Sequence, residues 1–160
     1  MHSWEAFFTA QVAASAALTG LLFVSISLNL TKILVNVGLP NRALVGLTVL
    51  LGALIVSSLM LLPDQPPKIA GIELLVAGLL VWAIGTRLDV LSVRKSEAQY
   101  RRHFLLHSIL FQVAVVPYMV GGILLVIGWP GAMYWVAAGV LLSVLMACLE
   151  AWVLLVEINR

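Results

Sequence analysis

The most constraining feature of this chain is a run of 46 residues, from Phe104 to Leu149, that contains no Asp, Glu, Lys or Arg. A soluble domain carries about 25% charged residues, whereas this chain has 10% charged and 62% hydrophobic residues. A helix needs roughly 20 apolar residues to cross the hydrocarbon core of a bilayer, so the run is long enough for two crossings. We expect it to break at Gly128–Gly131, because Gly and Pro both interrupt helices. The composition therefore predicts an integral membrane protein.

Five segments are long and apolar enough to span the membrane. Their predicted ranges are 6–30, 43–62, 69–88, 104–127 and 132–156. Transmembrane strands are not favoured, because the apolar residues run continuously and do not alternate with polar ones. The sequence thus predicts an all-α helical bundle that forms a single transmembrane domain over residues 1–160.

The basic residues predict the orientation of these spans. Five of the nine lie between Arg87 and Arg102, in and beside the connection between the third and fourth spans. With the N-terminus outside, eight of the nine fall on the cytoplasmic side and only Lys68 falls outside. Because cytoplasmic loops carry an excess of Lys and Arg, we expect an N-out, C-in topology in a plasma membrane. This basic connection could touch anionic lipids, and the small net charge of +2 does not suggest a nucleic acid partner.

Glu150 is the deepest ionisable residue in the predicted spans. Such a group costs about 2.5–3.5 kcal/mol on insertion scales, so it calls for an explanation. Glu157 follows on the same face seven residues later, and Ser143 precedes Glu150 by the same interval. One interpretation is a structural ion pair of Glu150, and the other is a stripe that handles protons or cations. The cations expected at this end of the bundle are Arg87, Arg101 and Arg102.

Other polar residues in or near the spans have more than one interpretation each. Glu73 lies near the outer end of the third span, where it could snorkel, bond a neighbouring helix or act as a ligand. On the first span, Gln11, Ser15 and Thr19 recur every four residues. This polar face is typical of hydrogen bonds between helices, and it could also line a narrow water path.

His103 and His107 share one helical face at the inner mouth of the fourth span. Their spacing of four residues could hold a metal ion, but two ligands do not make a site. We expect solvation at the membrane interface and predict no metal. The single cysteine, Cys148, excludes a disulfide within the chain.

Small residues predict where the helices touch, because lipid gives helices no hydrophobic reason to associate. Three seams stand out: Gly71, Gly78 and Gly85 on the third span; Gly139, Ser143, Ala147 and Ala151 on the fifth; and Ala13 with Ala17 and Ala16 with Gly20 on the first. Each seam either holds the bundle together or forms an oligomer interface. We expect a homo-oligomer.

Two stretches of the sequence resemble a known family. They are Trp4–Leu34, with the run SAALTGLLFVSISLNLTKIL from Ser15, and Tyr134–Arg160. They are similar to small bacterial integral membrane proteins, notably of actinobacteria, some of which are labelled modulators of the FtsH membrane protease. The resemblance covers the whole chain in pattern, and it implies location in the bacterial inner membrane and a membrane-protein partner.

The sequence carries no recognisable catalytic signature. It has no nucleophile elbow, phosphate loop or dinucleotide-binding fingerprint, and no extramembrane segment large enough for a catalytic domain. We therefore expect no enzyme and no cofactor. The predicted function is that of an accessory, regulatory or structural membrane subunit acting as an oligomer. The alternative is an oligomeric channel or transporter that uses the stripe of Ser143, Glu150 and Glu157.

Overall fold

The computed structural model describes residues 2–35, 39–95 and 101–158, and none of these residues lies in a strand. The helices are α1 (His2–Leu28), α2 (Leu30–Val35), α3 (Leu39–Leu59), α4 (Pro67–Lys95), α5 (Arg101–Ile127) and α6 (Ala132–Ile158). All except the short α2 are long and apolar enough to cross a membrane. The predicted all-α fold with five candidate membrane spans is therefore confirmed.

The helices extend beyond the predicted spans at the end where most basic residues lie. α3 begins at Leu39 rather than at 43, and α4 continues to Lys95 rather than stopping at 88. Hydropathy places a boundary where the hydrocarbon core ends, whereas backbone hydrogen bonds carry a helix on into the interfacial layer. As a result, Arg42 and Asp89 belong to helices and not to loops.

The break between the last two spans is confirmed, and local sequence explains it. α5 ends in a Schellman motif, in which the Trp129 N–H donates to the Leu124 carbonyl (2.9 Å) and the Gly128 N–H donates to the Leu125 carbonyl (3.1 Å). Gly128 takes a φ of 83°, which costs little for a residue without a Cβ. The chain then turns and α6 begins at Ala132.

Four helices form a closed ring. α3 packs on α4, α4 on α5, α5 on α6, and α6 on α3. Large side chains fill the interior, among them the fully buried Leu74, Phe111 and Tyr118. α1 stands outside the ring, packs mainly on α3 and barely touches α6. Only 17% of the residues in the apolar window of α1 are buried, compared with 39–50% in the other four spans.

Most small residues of the seams on α4 and α6 are buried where helices of the bundle meet, and Ala151 is half-buried. A Cβ on Gly71 would lie 2.7 Å from the carbonyl oxygen of Gly122 on α5, and one on Gly139 would lie 2.8 Å from the ring of Tyr118. These glycines let backbones and rings approach closely, which is how helices gain contact in a bilayer. The seam residues buried in this way are Gly71, Gly78, Gly85, Gly139 and Ala147.

Candidate functional site

Among the described residues, ionisable side chains cluster in the interior at the end of the ring where α3 and α5 begin and α4 and α6 end; we call this end the basic end. The cluster, called the charge network below, joins four helices. Its members are Arg42 of α3, Asp89 of α4, His107 and Ser108 of α5, and Glu150 of α6. All five lie within or beside helices that the sequence marks as membrane spans.

Glu150 is the most enclosed carboxylate of the network, with a side chain only 5% exposed. Arg42 donates to both of its oxygens, from Nε to Oε2 (3.1 Å) and from Nη2 to Oε1 (3.4 Å). This two-point contact fits the planar guanidinium to the carboxylate. The Nε2 atom of His107 lies 3.1 Å from Oε1, at ion-pair distance, but its N–H does not point at the oxygen as a hydrogen bond requires.

His107 connects Glu150 to a second carboxylate. Its Nδ1 atom lies 3.1 Å from Oδ1 of Asp89, and the hydroxyl of Ser108 donates to Oδ2 of the same carboxylate at 3.0 Å. A carboxylate only accepts, so an imidazole satisfies two carboxylates when both ring nitrogens carry a proton. In that form the network holds two cations and two anions, and its charges cancel.

Helix phase explains why Asp89 meets His107. One turn before Asp89, Gly85 faces the ring of Phe111, which a Cβ on that glycine would strike. Because α4 and α5 run antiparallel, the next turn of α4 lies opposite the preceding turn of α5. Positions four residues apart share a helix face, so Asp89 comes opposite His107. The glycine contact therefore sets the register of the polar contact.

The partner of Glu150 is Arg42, not the expected Arg87. Arg87 and Asp89 are two positions apart, which corresponds to about 200° around a helix. Since Asp89 faces the interior, Arg87 points away from it and is exposed. The side chains of Arg101, Arg102 and Glu157 lie outside the described residues.

Ser143, the residue of the expected α6 stripe that lies farthest from the basic end, is in the ring interior. The Tyr118 hydroxyl donates to Oγ of Ser143 at 2.7 Å, and both residues are fully buried. Ser143 lies seven residues from Glu150, which is about 10 Å along a helix. Each of the two stripe residues thus has its own partner on a neighbouring helix.

Of the remaining polar candidates, Glu73 and Thr19 have local partners. Glu73 lies at the opposite end of the ring and accepts a hydrogen bond from the amide of Gln65, in the connection between α3 and α4. On α1, Thr19 donates to the carbonyl of Ser15 in the same helix (2.7 Å). Ser15 is buried and its hydroxyl has no partner among the described residues, whereas Gln11 is half-buried. The expected bonds between helices are therefore not seen for Ser15 and Thr19.

The structure also changes the interpretation of the histidine pair. His107 is 7% exposed and belongs to the charge network, where we expected it to be solvated at the interface. The side chain of His103 lies outside the described residues. Across the part of the chain that is described, no three His, Cys, Asp or Glu residues are arranged to hold a metal ion.

Sequence reasoning missed Arg42, Asp89 and Ser108. The predicted spans begin one residue after Arg42 and end one residue before Asp89, so both residues were assigned to loops. A usable signal was present: Asp89, His107 and Glu150 lie at similar distances from the same end of three consecutive spans. Matching ionisable residues by depth across helices would have brought them together.

Comparison of the chain with protein-family models, with curated proteins and with solved structures gives no match. The resemblance to small bacterial membrane proteins therefore stays a prediction carried by the two sequence stretches. The function of the chain has to be inferred from the charge network and from the helix surfaces that the fold leaves open.

Proposed function

We propose that the chain is a non-enzymatic accessory or regulatory subunit of a bacterial plasma membrane, and that it works by associating with a second copy of itself through α1. The observation that carries this proposal is the open face of small residues on α1. Ala13, Ala16, Ala17 and Gly20 are all exposed, and a Cβ placed on Gly20 would meet no atom within 4 Å.

This face, called the α1 small face below, lies opposite the side on which α1 packs. Phe8, Ser15 and Leu22 are buried and point toward the ring. By helical phase the α1 small face is centred about 150° away from them. It therefore does not contribute to the packing of the single chain.

Small residues on a membrane helix stabilise contact between helices better than contact with lipid. They allow two backbones to approach closely, whereas they offer an acyl chain little surface. The corresponding seams on α4 and α6 are buried within the chain, which leaves the α1 small face as the seam available for a neighbour. A recess of about 200 Å³ also lies between α1, α3 and α6.

The charge network supports the same proposal, because it fixes the ring without involving α1. It ties α3, α4, α5 and α6 together at the basic end, and α1 has no member in it. A ring fixed in this way can keep its shape while α1 engages a neighbour. The network then serves as the rigid core of the subunit.

Association is expected to depend on the α1 small face. In a Cys148→Ser background, Ala17→Cys should form a disulfide-linked dimer in native membranes on mild oxidation. Ala14→Cys is the matched control, because Ala14 is also exposed and lies at the same depth but about 110° from the centre of the face. Gly20→Leu should weaken dimerisation in micelles about tenfold, and Ala14→Leu should not. Equal crosslinking at positions 14 and 17 would contradict the proposal.

We further propose that the basic end faces the cytoplasm, so that the N-terminus lies outside. The positive-inside rule supports this orientation, because the end opposite to Lys68 holds most of the cations. In a Cys148→Ser background, Gln65→Cys should react with an impermeant maleimide added to intact cells, and Ser96→Cys should react only after the cells are opened. The reverse pattern would overturn the orientation.

A second candidate function is proton-linked transport, favoured by the position of His107 between two carboxylates. A proton could move between the imidazole and Asp89 or Glu150 without a change in the fold. Purified protein in liposomes that carries protons down a pH gradient, and that loses this flux with Glu150→Gln although the variant stays folded, would establish this candidate. The absence of any flux above that of empty liposomes would dismiss it.

A further inference from the structure

We propose that the lipid-facing side of α4 at the basic end holds the phosphate of an anionic phospholipid. A recess of about 410 Å³ lies on this side of the helix, and we call it the α4 recess. It is lined by Trp82, Ala83, Thr86, Arg87, Val90 and Leu91. The proposal does not depend on how α1 associates.

Arg87 is the reason for proposing an anion. It lies within the candidate span Pro67–Leu91 and is exposed, and it forms no ion pair with any described residue. An arginine inside a span is unfavourable unless its long side chain reaches the headgroup layer. Arg87 lies four residues, or about 6 Å, before the end of the span, so its guanidinium can reach that layer.

The shape of the α4 recess suits a lipid rather than a soluble anion. Ala83 lies one turn deeper in the membrane than Arg87, and its small side chain leaves space beneath the guanidinium. Trp82 forms a wall, because its indole N–H donates to Oε1 of Gln112 at 2.8 Å and holds the ring against α5. Farther toward the bilayer centre, Leu79 and Leu80 are exposed and would contact an acyl chain.

The charges around the recess favour an anionic lipid over a zwitterionic one. The carboxylate of Asp89 faces inward and is paired with His107, so it does not offset Arg87. The end of α4, the start of α5 and their connection add positive charge to the sequence here: residues 92–105 contain Arg94, Lys95, Arg101 and Arg102 against Glu97 alone. Each basic residue near an anionic membrane surface contributes about 1 kcal/mol of attraction. A guanidinium also binds phosphate through two parallel donors.

Native mass spectrometry of delipidated protein titrated with phosphatidylglycerol or phosphatidylcholine tests the proposal. We expect wild-type protein to retain phosphatidylglycerol preferentially, and Arg87→Gln to weaken that retention about tenfold. Lys68→Gln is the matched control, since it removes one exposed cation at the opposite end of the ring, and it should change nothing. Arg87→Lys should keep part of the phosphatidylglycerol retention that Arg87→Gln loses.

Three outcomes would overturn the proposal. The first is equal retention of the two lipids by wild-type protein. The second is wild-type retention of phosphatidylglycerol by Arg87→Gln, with helical circular dichroism showing that the variant is folded. The third is displacement of the lipid by inorganic phosphate at the same concentration, which would show that the recess recognises a soluble anion instead.

Discussion

Replacing Glu150 by glutamine is expected to destabilise the folded protein by about 3 kcal/mol, near the lower end of the range for breaking a buried ion pair. The substitution leaves Arg42 and His107 in the ring without the carboxylate that lies between them. The lower end applies because the Arg42 side chain is 26% exposed and keeps some contact with polar surroundings. The measurement is the free energy of unfolding from an SDS titration of protein in mild detergent, followed by circular dichroism.

Glu73→Gln is the control for this experiment. Glu73 is also a carboxylate near the end of a span, but its hydrogen bond comes from Gln65 in a connection and not from a charged group. Its loss should cost about 1 kcal/mol or less. A Glu150→Gln variant that unfolds at the wild-type SDS fraction would show that the charge network contributes no stability.

A double-mutant cycle makes the same test sharper. Glu150→Gln removes an anion and His107→Gln removes a cation, so each single variant leaves one uncompensated charge. The double variant leaves Arg42 and Asp89, one of each sign. Its destabilisation should be smaller than the sum of the single effects by roughly 0.5–3 kcal/mol, the usual coupling for residues in contact. Strict additivity would mean that the 3.1 Å contact between the two side chains carries no energy.

Gly85→Ala is the second substitution for which we expect a large effect. The new Cβ would strike the ring of Phe111, which is fully buried and has no free space to move into. Overpacking of this kind costs about 1–3 kcal/mol, occasionally more. The cost should exceed the gain of roughly 1 kcal/mol that Ala brings to a helix interior in place of Gly. The same SDS titration measures the outcome.

Two further variants separate the steric effect from other causes. Gly20→Ala places a Cβ where no atom of the same chain lies within 4 Å, so in detergent that keeps the protein monomeric it should be neutral or slightly stabilising. Phe111→Leu makes room beside Gly85, and Gly85→Ala should cost less in that background. If Gly85→Ala is as harmless as Gly20→Ala, the close approach of α4 to α5 does not stabilise the fold. Because the contact of Gly85 with Phe111 sets the register of Asp89 and His107, Gly85→Ala should also weaken the charge network.

The fold was largely predictable because the bilayer imposes a simple rule. A span needs about 20 apolar residues with all backbone groups bonded internally, and hydropathy reports that need directly. The turn at Gly128 was predictable for a local reason as well, since a helix ending of this type needs a residue that accepts positive φ. The spacing of Gly71, Gly78 and Gly85 likewise marked a helix face that the structure buries against α5.

The site was less predictable, because ion pairs join residues that are distant in sequence. Arg42 and Glu150 are 108 residues apart, and no local pattern connects them. Placing Arg42 and Asp89 in loops removed two members of the network from consideration, because the predicted boundaries fell four residues inside the start of α3 and seven residues inside the end of α4. Arg87 was expected from the sequence as the partner of Glu150, but its position around α4 places it on the exposed face of the helix.

The sequence by itself determined that this chain forms five helices long and apolar enough to span a membrane, because the length and apolarity of each segment are properties that residues carry locally. It also located the three seams of small residues. Only the tertiary structure decided which of these seams the chain uses itself and which, on α1, it leaves open. It alone decided that Glu150 lies between Arg42 and His107, since those contacts depend on the rotation and depth of four helices packed against one another.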